Sequence, residues 1–116
     1  MPNRRLQLGQ VVLVRLIFAD QTGSKLRPAV VLRQGGDGDL LVAPVTSHGA
    51  RTTFDVVLLD WQAGGLRLPS VARIDKLATL APNVLVSQLG VISPRDRSAV
   101  VALCRKLVAE IADEEV

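Results

Sequence analysis

Short apolar runs separated by polar, glycine-bearing segments fill the first three quarters of the chain. Residues 9–17 contain Val11-Val12-Leu13-Val14, with Arg15 on one face only, and this β-branched run predicts a strand. Asp20-Gln21-Thr22-Gly23-Ser24 reads as a polar loop. Residues 27–33 predict a second strand, with Pro28 at its start or on an edge because proline lacks an amide hydrogen. Gly35-Gly36-Asp37-Gly38-Asp39 turns the chain into a third strand over 39–45, and the polar link 47–53 leads to a fourth over 54–59. Gln62-Ala63-Gly64-Gly65-Leu66 is a second turn region, and Pro69 precedes a fifth strand over 70–77. Residues 83–92 form one more short element, which the pattern leaves open between helix and strand. Strands this short and evenly spaced predict a small barrel or sandwich.

The period then changes. Ser93-Pro94-Arg95-Asp96 supplies an N-cap, a proline at the first helical position and a capping-box acid. Val100, Leu103, Cys104, Leu107, Val108 and Ile111 recur at steps of three and four, which predicts a helix with one apolar stripe packed on the strands. Asp113-Glu114-Glu115 sets acids at the negative end of that helix, so fraying is expected there. The expected class is therefore mainly β with a C-terminal helix, in one domain spanning residues 1–116. No internal repeat interrupts it.

Hydrophobic residues make up 48% of the chain, more than a small sphere can hide, so some apolar surface is expected to meet a partner. A twofold homodimer is the simplest form of that partnership. The net charge is only +3, but Arg4, Arg5, Arg15, Lys25, Arg27 and Arg33 load the first third, which suits a phosphate backbone. One cysteine, Cys104, and one histidine, His48, exclude an intrachain disulfide, a cysteine zinc cluster and histidine-rich metal sites. No apolar run reaches the ~20 residues of a membrane span. The N-terminus has no signal-peptide core, and a cytoplasmic protein is expected.

Against this background a few residues stand out as chemistry. If the second and third strands pair, Arg27 and Thr46 lie together at the sheet end opposite the glycine turn. A guanidinium fork binds two phosphate oxygens at once, and a hydroxyl adds a third hydrogen bond. Hydrophobic packing accounts for neither. Arg73 and Asp75 are two apart on the predicted fifth strand and so share a face, either as a phosphate clamp with its acid or as a plain salt bridge. Histidine is the side-chain type suited to move protons near neutral pH, and His48 follows Thr46, so it can act as acid or base or simply line its loop. Lys25 and Ser47 flank the central pair, Asp20 and Ser24 can contact a base or ribose, and Phe54 and Trp61 can stack or pack. Cleaving RNA without a metal needs a base for the 2′-hydroxyl, a cation for the phosphorane charge and an acid for the leaving 5′-oxygen. Arginine is a poor base, since its pKa exceeds ~12. Arg27 is therefore assigned to charge stabilisation, with proton transfer open among Asp75, His48 and a water they hold.

The order of these pieces resembles the PemK/MazF family of toxin endoribonucleases. Matching segments are Gly9-Gln10-Val11-Val12-Leu13-Val14, Gly23-Ser24-Lys25-Leu26-Arg27-Pro28-Ala29-Val30-Val31-Leu32 and Ala43-Pro44-Val45-Thr46-Ser47. Gly65-Leu66, Pro69-Ser70-Val71-Ala72-Arg73-Ile74-Asp75-Lys76-Leu77 and Gln88-Leu89-Gly90-Val91-Ile92-Ser93 follow in the family's order. The resemblance implies an SH3-like β-barrel with a C-terminal helix, a homodimer, and cofactor-free cleavage of single-stranded RNA to a 2′,3′-cyclic phosphate and a 5′-hydroxyl. It also implies an antitoxin whose flexible segment occupies the RNA groove, with operator DNA reached only through that complex. It assigns catalytic roles to Arg27 and Thr46 and, as in some members, to Arg73 and Asp75. Two departures are visible. Thr22-Gly23-Ser24-Lys25 stands where many members carry a Glu-Gln pair, and no histidine occupies the region of Phe18 and Ala19. A non-cleaving module on the same barrel is the alternative, although one tryptophan, two phenylalanines and no tyrosine make a poor stacking platform or proline-peptide groove.

Overall fold

Three long strands are apolar on alternate residues of both faces, and they form the centre of the molecule. In the computed structural model, which describes residues 5–17, 20 and 22–113, β1 (Gln10–Ile17), β2 (Ser24–Gln34) and β3 (Leu40–Thr46) pair antiparallel in chain order. Val11, Val30, Ala43 and Val45 are buried on one face. Val12, Val14, Ala29, Val31, Leu40 and Val42 are buried on the other. Strands covered on both faces lose the polar alternation of a half-exposed sheet, which is why they read as continuous apolar runs.

Each face is closed by later elements. β4 (Asp55–Val57), β5 (Val71–Arg73), a 3-10 turn over Ile74–Lys76 and α1 (Pro94–Asp113) cover the first, contributing Val56, Leu58, Ala72, Ile74 and Val100. β6 (Ala78–Leu80), a 3-10 turn over Pro82–Val84 and β7 (Leu85–Val91) cover the second with Ala78, Leu80, Val84 and Leu85. The sheet runs β4-β5-β3-β2-β1-β7. One edge of β3 is shared: its end pairs with β5 and its start with β6. The mainly β class with a C-terminal helix is as expected. The sheet curls without closing, with β4 and β7 at its ends.

Several element boundaries differ from the sequence pattern, and two of these differences shape the site. β2 starts at Ser24 rather than at 27, so Lys25, Leu26 and Arg27 pair with Leu16, Arg15 and Val14 of β1. Pro28 is thus inside the strand. Pairing with β3 begins only at Ala29↔Pro44, so residues 24–28 keep an open edge where a missing N–H is tolerated. The strand expected over 70–77 stops at Arg73, because Ile74 turns into the core and donates its N–H to the Phe54 carbonyl at 3.0 Å. Asp75 therefore sits on an exposed turn, and it does not share a strand face with Arg73. The strand expected over 54–59 shrinks to three residues, residues 83–92 resolve into a 3-10 turn followed by β7, and β6 had no counterpart in the pattern.

The helix begins where Ser93 Oγ accepts the Asp96 N–H at 3.3 Å. Asp96 does not complete the capping box. Its buried carboxylate accepts the N–H groups of Leu59 and Asp60 at 2.9 and 2.8 Å and caps that turn instead. The predicted stripe packs over its first half: Val100 is fully buried, and Leu103, Cys104 and Leu107 are half-buried against the core. Val108 and Ile111 are 63% and 62% exposed, so the second half of the stripe is bare. Among the described residues no helix is long and apolar enough to cross a membrane. Arg4, Phe18, Ala19, Glu114 and Glu115 lie outside the described residues.

Candidate nucleic-acid interface

Extending the β2–β3 register two residues beyond Ala29↔Pro44 places Arg27 opposite Thr46. Both line one open cavity of about 670 Å³ at the end of β2 where β3 no longer pairs. Lys25, Ser47, His48 and Arg73 line it too, together with Arg67, Ser70 and an apolar floor that includes Leu16, Leu66 and Leu68. Four cations and no carboxylate are among the lining residues. Such a lining suits an anion with an apolar attachment.

Some of the lining groups are held and others are free. Arg27 is exposed and makes no ion pair among the described residues, so its fork is available to a ligand. The Thr46 Oγ1 accepts the backbone N–H of His48 at 3.2 Å, which leaves the hydroxyl proton free to donate outward. This small turn also carries the exposed His48 to the cavity wall. Arg73 is anchored: its Nε lies 3.5 Å from Oδ1 of Asp55, whose side chain is fully buried. Burial pushes the Asp55 carboxyl up, but the N–H groups of Arg51 and Thr52 and the Arg73 guanidinium outweigh it and hold the group below its ordinary value.

The far wall depends on backbone contacts. Gly65 adopts φ +77°, and a Cβ there would overlap the Leu89 carbonyl of β7. A Cβ on Gly90 would come within 2.7 Å of the Gly64 carbonyl carbon. The turn thus lies directly on β7, and Asp96 caps its start, so Leu66-Arg67-Leu68 are presented to the cavity from a fixed base.

Three of the expected site residues lie elsewhere. Asp75 is exposed on the 3-10 turn and does not line the cavity. Asp20 accepts both the hydroxyl of Thr22 at 2.7 Å and its N–H at 3.1 Å; these bonds, the hydroxyl's first, lower its pKa and close the loop on itself. Ser24 Oγ accepts Arg15 Nη1 at 3.3 Å. Phe54 and Trp61 pack against the core, Phe54 beneath Lys106 Nζ at 5.4 Å from the ring centre, so neither offers a stacking face in the cavity. Sequence reasoning missed Arg67 and Asp55. Arg67 sits in a turn with no periodicity, whereas Asp55 had a usable signal: a lone acid beginning an apolar strand.

Residues 7–108 match the family described as PemK-like, MazF-like toxin of type II toxin–antitoxin system. The chain belongs to that toxin family. No curated protein matches the sequence. Among solved structures, MazF from Deinococcus radiodurans is similar at 25% identity and a TM-score of 0.67, over 92% of this chain and 99% of that one. The MazE–MazF complex of the same organism aligns at 24% identity and a TM-score of 0.73, over 91% of this chain and 98% of that one. An endoribonuclease from a mycobacterial species aligns at 14% identity and 0.69, over 91% and 93%. The last two likenesses speak to the fold alone. The toxin's cavity is formed by the segments whose order carries the family resemblance: the β2 start, the β3 end, Gly65-Leu66 and the β5 motif.

Proposed function

We propose that this toxin is a sequence-selective, metal-independent endoribonuclease that cuts single-stranded RNA. The observation that carries the reading is that Arg27, without an ion pair among the described residues, and Thr46, whose Oγ1 accepts the His48 N–H, line one cavity with three further cations and no carboxylate among the described residues. A phosphodiester in that cavity receives the Arg27 fork on its non-bridging oxygens and the Thr46 proton as a further hydrogen bond. The 2′-oxygen attacks phosphorus, the bond to the 5′-oxygen breaks, and the products are a 2′,3′-cyclic phosphate and a 5′-hydroxyl. Charge gathers on the non-bridging oxygens during attack, so donors fixed beforehand favour the transition state over the ground state. His48 is the lining side chain able to take the 2′-proton and return one to the 5′-oxygen. Asp75 is not among the lining residues, so His48 is preferred to it for that task. Arg73, held by Asp55, supplies a second cation, and Lys25, Arg67 and Ser47 hold the flanking strand.

The same reading gives the protein an antitoxin whose segment competes for the cationic cavity, with operator DNA contacted through the antitoxin complex. It also gives a cytoplasmic location and a homodimer, for which the bare half of the α1 stripe at Val108 and Ile111 is the apolar surface in need of cover. The test is incubation with a defined transcript in EDTA, followed by end-group analysis. Discrete fragments ending in cyclic phosphate are expected from the wild type and none from Arg27→Ala, which leaves the core untouched. Arg27→Lys should be severely impaired, because a point charge cannot reproduce the fork. Intact RNA with a shifted band would assign the cavity to a non-cleaving binding module.

A further inference from the structure

β4 is three residues long, and it begins with a buried acid. The Asp55 side chain has no exposed surface. A carboxylate in such a place persists only if donors replace its water. Oδ2 accepts the Arg51 N–H at 2.7 Å and the Thr52 N–H at 3.2 Å. Oδ1 faces Arg73 Nε at 3.5 Å, and neither of these two facing atoms has a hydrogen-bond partner among the described residues. Since 3.5 Å is beyond a well-formed hydrogen bond, the contact acts mainly through charge. The β4–β5 register pairs Asp55 directly with Arg73, so the contact is built into the sheet.

One carboxylate therefore grips two parts of the cavity. Arg51 and Thr52 end the stretch that begins with Ser47 and His48 at the cavity wall, and Arg73 enters the same cavity from β5. We propose that Asp55 is a positioning residue for RNA cleavage, fixing the Arg73 guanidinium and the His48-bearing loop relative to each other without touching the substrate. This rests on the cavity being the RNA site. A misplacement of about 1 Å at a reacting group can cost about 100-fold in rate, so removing this grip matters even though no cation is removed from the cavity.

The test combines a mutant cycle with an exchange measurement. Asp55→Asn is expected to lower kcat/KM by about 10- to 100-fold on a single-site RNA oligonucleotide. Because part of the Asp55 effect passes through Arg73 and part through the loop, the double variant Asp55→Asn/Arg73→Ala should lose less than the product of the two single losses, which independent effects would reach. Multiplying losses, or an Arg73→Ala variant of wild-type activity, overturns the proposal. Should Asp55→Asn fail to fold, side-chain NMR on the wild type still decides. The Arg73 Nε–H should exchange with solvent roughly tenfold more slowly than that of the unpartnered Arg27, as restrained groups do. Equal exchange overturns the proposal whether or not the chain cuts RNA. Absence of cleavage with slow Arg73 exchange instead removes the nuclease reading and, with it, the proposed role.

Discussion

Arg67→Ala asks whether the cavity tracks a phosphate backbone or only a single scissile group. Lys25, Arg27, Arg67 and Arg73 line it, and Arg73 is shared with Asp55, so three to four cations are available to phosphates. On a single strand each neutralised phosphate contributes about 0.7 to the slope of log affinity against log salt. Three to four contacts give a slope of about −2.1 to −2.8, or an affinity loss of about 18- to 48-fold between 50 and 200 mM salt. Without Arg67 the slope should become shallower by about 0.7, and the same salt step should cost about 2.6-fold less. The assay is fluorescence anisotropy of a labelled deoxyoligonucleotide, which lacks the 2′-hydroxyl and so stays intact, across a salt series. Arg97→Ala serves as control, being an exposed helix cation outside the cavity lining. An unchanged slope for Arg67→Ala, or an equal change for Arg97→Ala, would refute the backbone track.

Two further expectations concern the frame around the site. Asp96→Ala strips the acceptor from two N–H groups, those of Leu59 and Asp60. At about 1–2 kcal/mol for each orphaned donor, stability should fall by about 2–4 kcal/mol. For a chain of this length that is a drop of roughly 8–16 °C in Tm, read by circular dichroism. A Tm within 2 °C (about 0.5 kcal/mol) of wild type would mean the turn needs no cap. Asp60 is held at about 2 by hydrogen bonds from Arg95 and then Ser93, against an ordinary 3.8. A lowered carboxyl favours the folded state above the unfolded pKa and loses that effect as pH falls through the folded one. Arg95→Ala should therefore return Asp60 towards 3.8 in a carboxyl-carbon NMR titration, and an unmoved titration would show that the pair is not formed in solution.

The parts of the fold visible in the sequence were those set by simple periodicity. β1, β2 and β3 were legible because each buries both faces, and α1 because Ser93-Pro94 starts it and Val100, Leu103 and Leu107 repeat at helical steps. The short strands were hidden because tertiary contacts define them. β4 and β5 are three residues each and pair with one another, and β5 alone joins them to β3. Asp75 followed from reading residues 70–77 as one strand; burial of Ile74 breaks that strand and carries the acid away from Arg73. Arg27 and Thr46 were legible because neither fits an apolar strand for packing reasons, while Arg67 depends on a turn fixed by Gly65 against β7, a contact no local pattern announces. The capping-box acid is the clearest divergence: Asp96 had the right spacing for the helix, yet it serves the turn beneath.

The position of the site follows from a mismatch in strand length. β2 runs on from residue 28 towards Ser24 beside β1 alone, while β3 ends at Thr46 and passes its other edge to β5. A notch opens between them, lined in part by Pro28 and Pro44, and side chains there meet solvent instead of another strand. Cations gathered in such a notch repel one another, by about 1 kcal/mol for a pair 4 Å apart in water and more in drier surroundings. Openness keeps that repulsion small for Lys25, Arg27 and Arg67, which are all exposed. Arg73 is the half-buried member, and it is the one provided with a carboxylate. The distribution of charge therefore obeys one rule: cations that water can screen are left free for a ligand, and the cation that water reaches least has Asp55 behind it. An anion entering the notch would relieve the repulsion of all four at once, so binding and local stability should rise together.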